Sequence, residues 1–305
     1  MSEPRSGPVA PSTGSGNGPL RGHGLLAKLG WALRSDAGPI KSRNEDFAGV
    51  YAPTTPDDAW DRGPLFVVCD GRGDHGSGAL ASRTAVEAAL GAWSGPDPAP
   101  PPEALRAAAS VANDAVCEAA RARAQPAMAT TFTGLTLAGR EAVIVHLGDS
   151  RCYLVREGMC TQLTAEHGGD EEASSGAAPG QELPGWSGGQ SQLLGVSRSE
   201  QAVPVDLFTA DTKAGDVFVL CSDGLAGAVS SGDIAEWASA VGTPVAPTVV
   251  DAAEELVDLA LEAGASDNLT VLVVKVTTGR AVPAAGSRRP FFRRDRLWRV
   301  FDATR

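Results

Sequence analysis

Residues 65–78 read LFVVCDGRGDHGSG. An apolar run, Leu65 to Cys69, ends in Asp70 and then in glycines. Three readings compete for this stretch. Gly71, Gly73 and Gly76 spell G-x-G-x-x-G, the phosphate turn of a parallel βαβ dinucleotide fold. Arg72, Gly73 and Asp74 spell R-G-D, the tripeptide read by cell-adhesion receptors. Asp70 itself sits where a hard oxygen ligand would, at the end of a strand. The choice decides the fold, because only the first reading demands a parallel sheet.

The spacing argues against that first reading. A βαβ unit brings its second strand about 30 residues after the first. Here two helical patterns and the Pro-rich connection SGPDPAPPP (94–102) intervene before the next strand, near residue 129. Asp70, directly ahead of the glycines, would also repel a pyrophosphate. A nicotinamide-dependent oxidoreductase is therefore set aside, with no NADH binding expected. The start of the chain lacks the apolar core of a secretory signal, and no apolar run nears the roughly 20 residues that span a bilayer. The expectation is a cytoplasmic protein, in which an adhesion tripeptide has no receptor to meet.

Outward from residues 65–78, apolar spacing predicts a strand at 64–69 and helices at 79–93 and 103–123. A strand ends within 30–38. Residues 129–163 form a meander punctuated by Gly139, Gly148 and Gly158. A strand at 216–224, helices at 232–240 and 248–263, and a last strand at 268–276 follow. Thr248 and Asp251 stand at capping-box spacing, and Gly264 is placed to end that helix. Strands come in runs joined by short turns. The fold class is therefore α+β, with largely antiparallel sheets and helices segregated outside. Residues 1–24, poor in large apolar groups, are expected to be disordered. One folded domain is expected over 25–278, with a flexible loop at 168–191 that is rich in Gly, Ser and Glu.

The chain has 305 residues and a net charge of −11. An acidic body argues against nucleic-acid binding. It also repels anionic substrates unless metal ions or local cations reverse the field. Five cysteines with no C-x-x-C read as free thiols in a reducing compartment.

Acidic residues recur where strands enter or leave a sheet. LFVVCDG (65–71) and VFVLCSDG (217–224) each deliver an aspartate and then a glycine. Asp149 follows an apolar strand in LGDSR, Asp267 precedes one in GASDNLT, and Glu45 and Asp46 lie in KSRNEDF. Burying one such carboxylate alone costs several kcal/mol, and several together repel. Divalent cations resolve that repulsion, and all-oxygen ligands select Mg²⁺ or Mn²⁺ over zinc.

Six pieces then make a resemblance specific: SDAGPIKSRNEDF, LFVVCDGRGDHGSG, ATTFTGLTLAG, VIVHLGDSRCYLVREGMCTQLTAEH, AGDVFVLCSDGL and GASDNLTVLVV. In this order, over roughly residues 28–276, the chain resembles the bacterial metal-dependent serine/threonine protein phosphatases of the 2C type. The resemblance implies a four-layer α/β/β/α sandwich, with two metal ions between two antiparallel sheets. It implies that Asp70 bridges the ions, that the Gly71 carbonyl binds one, and that Asp223 and Asp267 bind the other. Glu45 and Asp46 would hold metal-bound waters, and Asp149 with Asp223 would supply a third, weaker site. A metal-activated water would attack phosphorus in line, with no covalent intermediate. Lys41 and Asn268 are expected at the substrate phosphate, as is Arg72, which is this chain's own departure and partly replaces the guanidinium lost at Lys41, and His75 is offered as a proton donor. A phosphoprotein would be the substrate, with a serine/threonine kinase or its targets as the expected partner.

The chain departs from the family's pattern in three places. Lys41 stands where the family has Arg, so the charge is kept and the bidentate fork lost. Arg72 and Asp74 replace the Met and second Gly of DGMGGH. The loop 168–191 lacks the family's helical insert. These departures leave a second reading open, that of a catalytically weak pseudophosphatase or phosphoprotein-binding module. The tail, 279–305, is basic: its last 26 residues carry eight arginines and two aspartates, a net +6 that leaves −17 on the rest. With Phe, Leu and Trp interleaved, residues 280–305 could meet an anionic membrane surface, a partner, or the acidic body of this chain.

Overall fold

The apolar runs and turn glycines resolve into thirteen strands and five helices among the described residues. The structure is a computed structural model. It describes residues 20–26, 29–53, 62–73, 76–95, 99–125, 127–167, 193–196, 203–241, 248–277 and 298–300. Four strands come first: Leu20–Leu26 (β1), Leu29–Asp36 (β2), Asp46–Tyr51 (β3) and Leu65–Arg72 (β4). Helices Ser77–Trp93 (α1) and Pro101–Ala122 (α2) follow. The meander is Ala129–Thr130 (β5), Phe132–Ala138 (β6), Glu141–Leu147 (β7), Arg151–Arg156 (β8) and Met159–Gln162 (β9). Asp206–Asp211 (β10) and Val217–Cys221 (β11) lead to Asp223–Ala228 (α3), Ser231–Ala240 (α4) and Val249–Glu262 (α5). Leu269–Val276 (β12) and Trp298–Val300 (β13) complete the described chain.

The strands form two sheets, ordered β1-β2-β12-β11-β8-β9 and β10-β7-β6-β4-β3-β13, with β5 beside β4. The pairings are antiparallel. Alternation along a strand sends successive side chains to opposite faces. On β4, Leu65, Val67 and Cys69 pack under α1 and α2 with Val86, Leu90 and Leu105. Phe66 and Val68 face the other way, into a core shared with Leu33, Phe218, Leu220 and Leu272 of the opposite sheet. A third core seats Val219, Val271 and Val273 against Leu225, Ile234, Leu256 and Val257 of α3, α4 and α5. Three cores make four layers, α/β/β/α. Central strands buried on both faces explain why their sequences read as continuous apolar runs.

Several boundaries differ from the sequence expectation, among them the strand expected at 216–224, which ends at Cys221, so that Asp223 and Gly224 already belong to α3. Residues 20–24, expected to be disordered, belong to β1, which pairs with β2 from Leu20↔Ser35 to Leu26↔Leu29. Ladder hydrogen bonds to a buried neighbour order this segment, where its own apolar content would not. Arg21 Nε adds a 2.6 Å ion pair to Glu254 on α5. Residues 1–19 lie outside the described residues. The Pro-rich connection also ends early, because Pro101 and Pro102 already belong to α2; proline is tolerated in a first turn, where its missing N–H has no helical partner.

The loop 168–191 lies outside the described residues, as does the tail except for β13. That strand pairs antiparallel with β3, Trp298↔Tyr51 to Val300↔Gly49, on the edge of the second sheet. Among the described residues no helix is long and apolar enough to cross a membrane. All five cysteines are free thiols.

Candidate metal centre

Register brings the acidic segments to one end of the sandwich. In the second sheet Asp46 pairs with Asp70. In the first, Cys221 pairs with Arg151 on one side and Val271 on the other. Asp149, Asp223 and Asp267 therefore stand just beyond the ends of β8, β11 and β12. The chain crosses between the sheets through the β2–β3 loop and the β7–β8 turn, which carry Lys41, Glu45 and Asp149 to the same end. A cavity of about 280 Å³ opens there, lined by Lys41, Glu45, Asp70, Gly71, Arg72, Gly73, Asp223, Asp267 and Asn268.

The backbone of Asp70 is fixed from three directions. Its N–H donates to Thr131 Oγ1 at 2.8 Å, and its carbonyl accepts from Thr131 N at 2.9 Å and Thr130 Oγ1 at 2.8 Å. Thr131 Oγ1 also meets Ser150 Oγ at 2.8 Å, which ties Asp70 to the turn of Asp149. Gly71 and Gly78 let β4 and α1 touch backbone to backbone: a Cβ on Gly71 would lie 2.0 Å from the Gly78 carbonyl. Gly224 plays the same part beside Asp223, since a Cβ there would lie 2.2 Å from the Asn268 carbonyl.

Asp70, Asp149 and Asp223 each present a carboxylate oxygen within 4.8 Å of the other two. The repulsion shows in the titration of Asp70 and Asp223. Burial first, then the charges of Asp46, Asp223 and Asp149, push the Asp70 carboxyl up to about 10. Burial and Asp149 raise Asp223 as well, against a hydrogen bond from Asp70. Asp149 Oδ1 is buried without a hydrogen-bond partner. An all-oxygen donor set and mutual repulsion fit a hard divalent cation. Asp267 lines the cavity but turns to Lys41, whose Nζ lies 2.7 Å from its Oδ1. Arg72 ion-pairs Asp149 and lies 3.9 Å from Asp223.

Glu45 and Asp46 differ in setting. The Glu45 side chain accepts from the Ala79 N–H in the first turn of α1, and burial raises its pKa against that bond. Its carbonyl accepts from Gly71 N at 3.1 Å and Ser82 Oγ at 2.6 Å. Asp46 is buried, and burial pushes its carboxyl up to about 7 against bonds from Ser222 and Thr270. A donor chain ends on it: Asn44 Nδ2 to Ser35 Oγ at 2.8 Å, Ser35 Oγ to Thr270 Oγ1 at 2.7 Å, and Thr270 Oγ1 to Asp46 Oδ2 at 2.7 Å. Every link has a donor and an acceptor, so the chain runs one way.

One residue expected on the substrate phosphate has other work. Both amide hydrogens of Asn268 are committed, to Ala37 O at 2.9 Å and Arg43 O at 3.0 Å, and its Oδ1 accepts from Glu45 N at 2.8 Å. Asn268 clips the β2–β3 loop to β12 and has no donor left for phosphate. His75 and Asp74 lie outside the described residues.

The sequence reading missed the hydroxyls Ser35, Thr130, Thr131, Ser150, Ser222 and Thr270. Their one signal is adjacency, as Ser150 follows Asp149 and Ser222 precedes Asp223. It also gave no role to two histidines that brace the Asp149 turn. His146 Nε2 lies 3.0 Å from the Gly148 carbonyl, and His167 Nδ1 accepts from Gly148 N at 3.1 Å. Burial pushes His146 down to about 3, so its ring is neutral.

Comparison with known proteins places the chain among phosphatases. The family profile described as protein phosphatase 2C matches residues 54–259. The serine/threonine protein phosphatase PstP of Mycobacterium tuberculosis is 34% identical over 254 residues, 81% of this chain and 45% of that protein. The chain thus spans about half the length of this relative. The serine/threonine phosphatase stp of Listeria innocua is 29% identical over 80% of this chain and 94% of its own length. The solved catalytic domain of PstP in complex with two manganese ions superposes with a TM-score of 0.63 at 30% identity, covering 82% of this chain and 98% of that one.

Proposed function

Because the chain belongs to the protein phosphatase 2C family, we propose that it hydrolyses phosphoserine and phosphothreonine in proteins with two divalent cations, Mn²⁺ or Mg²⁺. The observation that carries this reading is the meeting of Asp70, Asp149 and Asp223 within 4.8 Å, at a cavity whose rim holds Lys41. Asp70, the Gly71 carbonyl, Asp223 and Asp267 are the residues that would hold the two ions. When bound, such ions acidify a water and offset the charge of the phosphate oxygens.

The protein's own part is positional. Asp70 is held by Thr130 and Thr131, so it approaches from a fixed direction. Glu45, anchored at the first turn of α1, can accept a proton from a water in the cavity, because burial keeps its pKa above the ordinary glutamate value. Lys41, with its charge reinforced first by the Asp267 hydrogen bond, presents an ammonium to an incoming phosphoryl group. Water oxygen bonds to phosphorus as the bond from phosphorus to the Ser or Thr oxygen breaks. The departing oxygen takes a proton from solvent or an acid at the rim. No cysteine lines the cavity, and burial pushes the thiols of Cys69, Cys152, Cys160 and Cys221 up, to about 12 for Cys221.

The test is phosphate release from p-nitrophenyl phosphate and a phosphothreonine peptide. Release is expected with Mn²⁺, is lost with chelator, and falls at least about a hundredfold in Asp223→Asn, the scale of removing a group that stabilises transition-state charge. Turnover that survives both chelator and Asp223→Asn would defeat the proposal. Retained phosphopeptide binding without turnover would point to the binding-module reading.

A further inference from the structure

Arg72 is the last residue of β4 and stands two positions after Asp70. Alternation therefore delivers its side chain to the same face as that of Asp70. Pairing of Arg72 with Ala129 on β5 holds its backbone in register. The guanidinium reaches the carboxylate cluster, where Nη2 bonds Asp149 Oδ2 and stands 3.9 Å from Asp223 Oδ2. The Asp149 carboxylate has no other ion pair or hydrogen bond among the described residues, and its second oxygen is buried and unpartnered.

We propose that Arg72 is a built-in cation that occupies the position between Asp149 and Asp223, so that the chain binds two divalent ions and excludes a third. This rests on the metal reading of the site given above. A guanidinium stays charged at every relevant pH. A divalent ion on Asp149 would sit within a few ångström of that charge, where repulsion in a partly buried site outweighs what one carboxylate returns. Asp70, Asp223 and Asp267 all line the cavity, so two ions still find ligands. The guanidinium serves Asp149 without an ion. The identity of residue 72 thus sets how many ions the site takes: a neutral side chain of similar length leaves Asp149 open, and an arginine closes it.

The experiment counts Mn²⁺ on the full chain, stripped with chelator and dialysed, by isothermal titration together with the electron paramagnetic resonance signal of free Mn²⁺. The unaltered chain is expected to take two ions up to millimolar Mn²⁺. Arg72→Met is expected to gain a third, weaker ion, and Arg72→Met with Asp149→Asn to return to two. Arg72→Lys, which keeps a charge, stays at two and serves as the control should the Met variant fold poorly by circular dichroism. A third ion on the unaltered chain that Asp149→Asn removes would overturn the proposal. So would a folded Arg72→Met that still binds two. Binding of no Mn²⁺ at all would overturn the metal reading along with it.

Discussion

Asp46 and Asp70 face one another across β3 and β4; Thr270 donates to the Asp46 carboxylate, and Thr130 and Thr131 hold the Asp70 backbone. Burial raises the Asp46 carboxyl from its ordinary 3.8 to about 7. The folded state therefore keeps a proton that the unfolded chain releases from about pH 4 upward. The contribution to stability is complete below that pH and is lost as pH rises toward 7. In urea unfolding of chelated protein, stability should fall across this window. Asp46→Asn, which still accepts from Thr270, should flatten the fall by up to about 1.4 kcal/mol per pH unit. An unchanged slope would remove Asp46 as the titrating group. At this scale the sequence showed the carboxylates, because an aspartate at the end of an apolar run stands out. It did not show Thr131 or Thr270, whose hydroxyls look like ordinary strand threonines until the register sets them beside Asp70 and Asp46. Asn268 misled for the same reason, since its three partners lie more than 220 residues away in sequence.

Elements with strong local signals were legible. Strand β4, the helices α1 and α5, and the capping box of Thr248 and Asp251 follow from periodicity and spacing. The second capping box, Ser230 with Asp233, went unread, although its residue types carry the same signal. Strands β1 and β10 were missed because they sit at sheet edges, where exposed polar positions dilute the apolar pattern. The contact between β4 and α1 depends on two glycines, and it sets where Asp70 points. Gly71→Ala would drive a methyl group into the Gly78 carbonyl, and neither backbone can yield without moving Glu45. A stability loss of roughly 1–3 kcal/mol is expected in thermal or urea unfolding, accompanied by weaker Mn²⁺ binding. Wild-type stability in this variant would mean that the close approach is not a constraint.

At the scale of the whole molecule, two sheets pack face to face and helices cover their outer faces, so one open end collects residues from β3, β4, β8, β11 and β12. The four-layer class was legible from the resemblance of six ordered pieces, and the antiparallel character from the short turns between strands. The pairing order was not, since nothing local places β12 between β2 and β11. The tail's basic, aromatic pattern was visible in the sequence, whereas the pairing of Trp298–Val300 with β3 needed the fold. The central claim is that this end of the sandwich holds two ions against Asp70, Asp223 and Asp267. Anomalous diffraction from crystals grown with Mn²⁺ tests it most directly. Two manganese peaks in the cavity beside Asp70 are predicted, both lost in Asp70→Asn. An absence of peaks there, or peaks only at surface carboxylates elsewhere, would contradict the account.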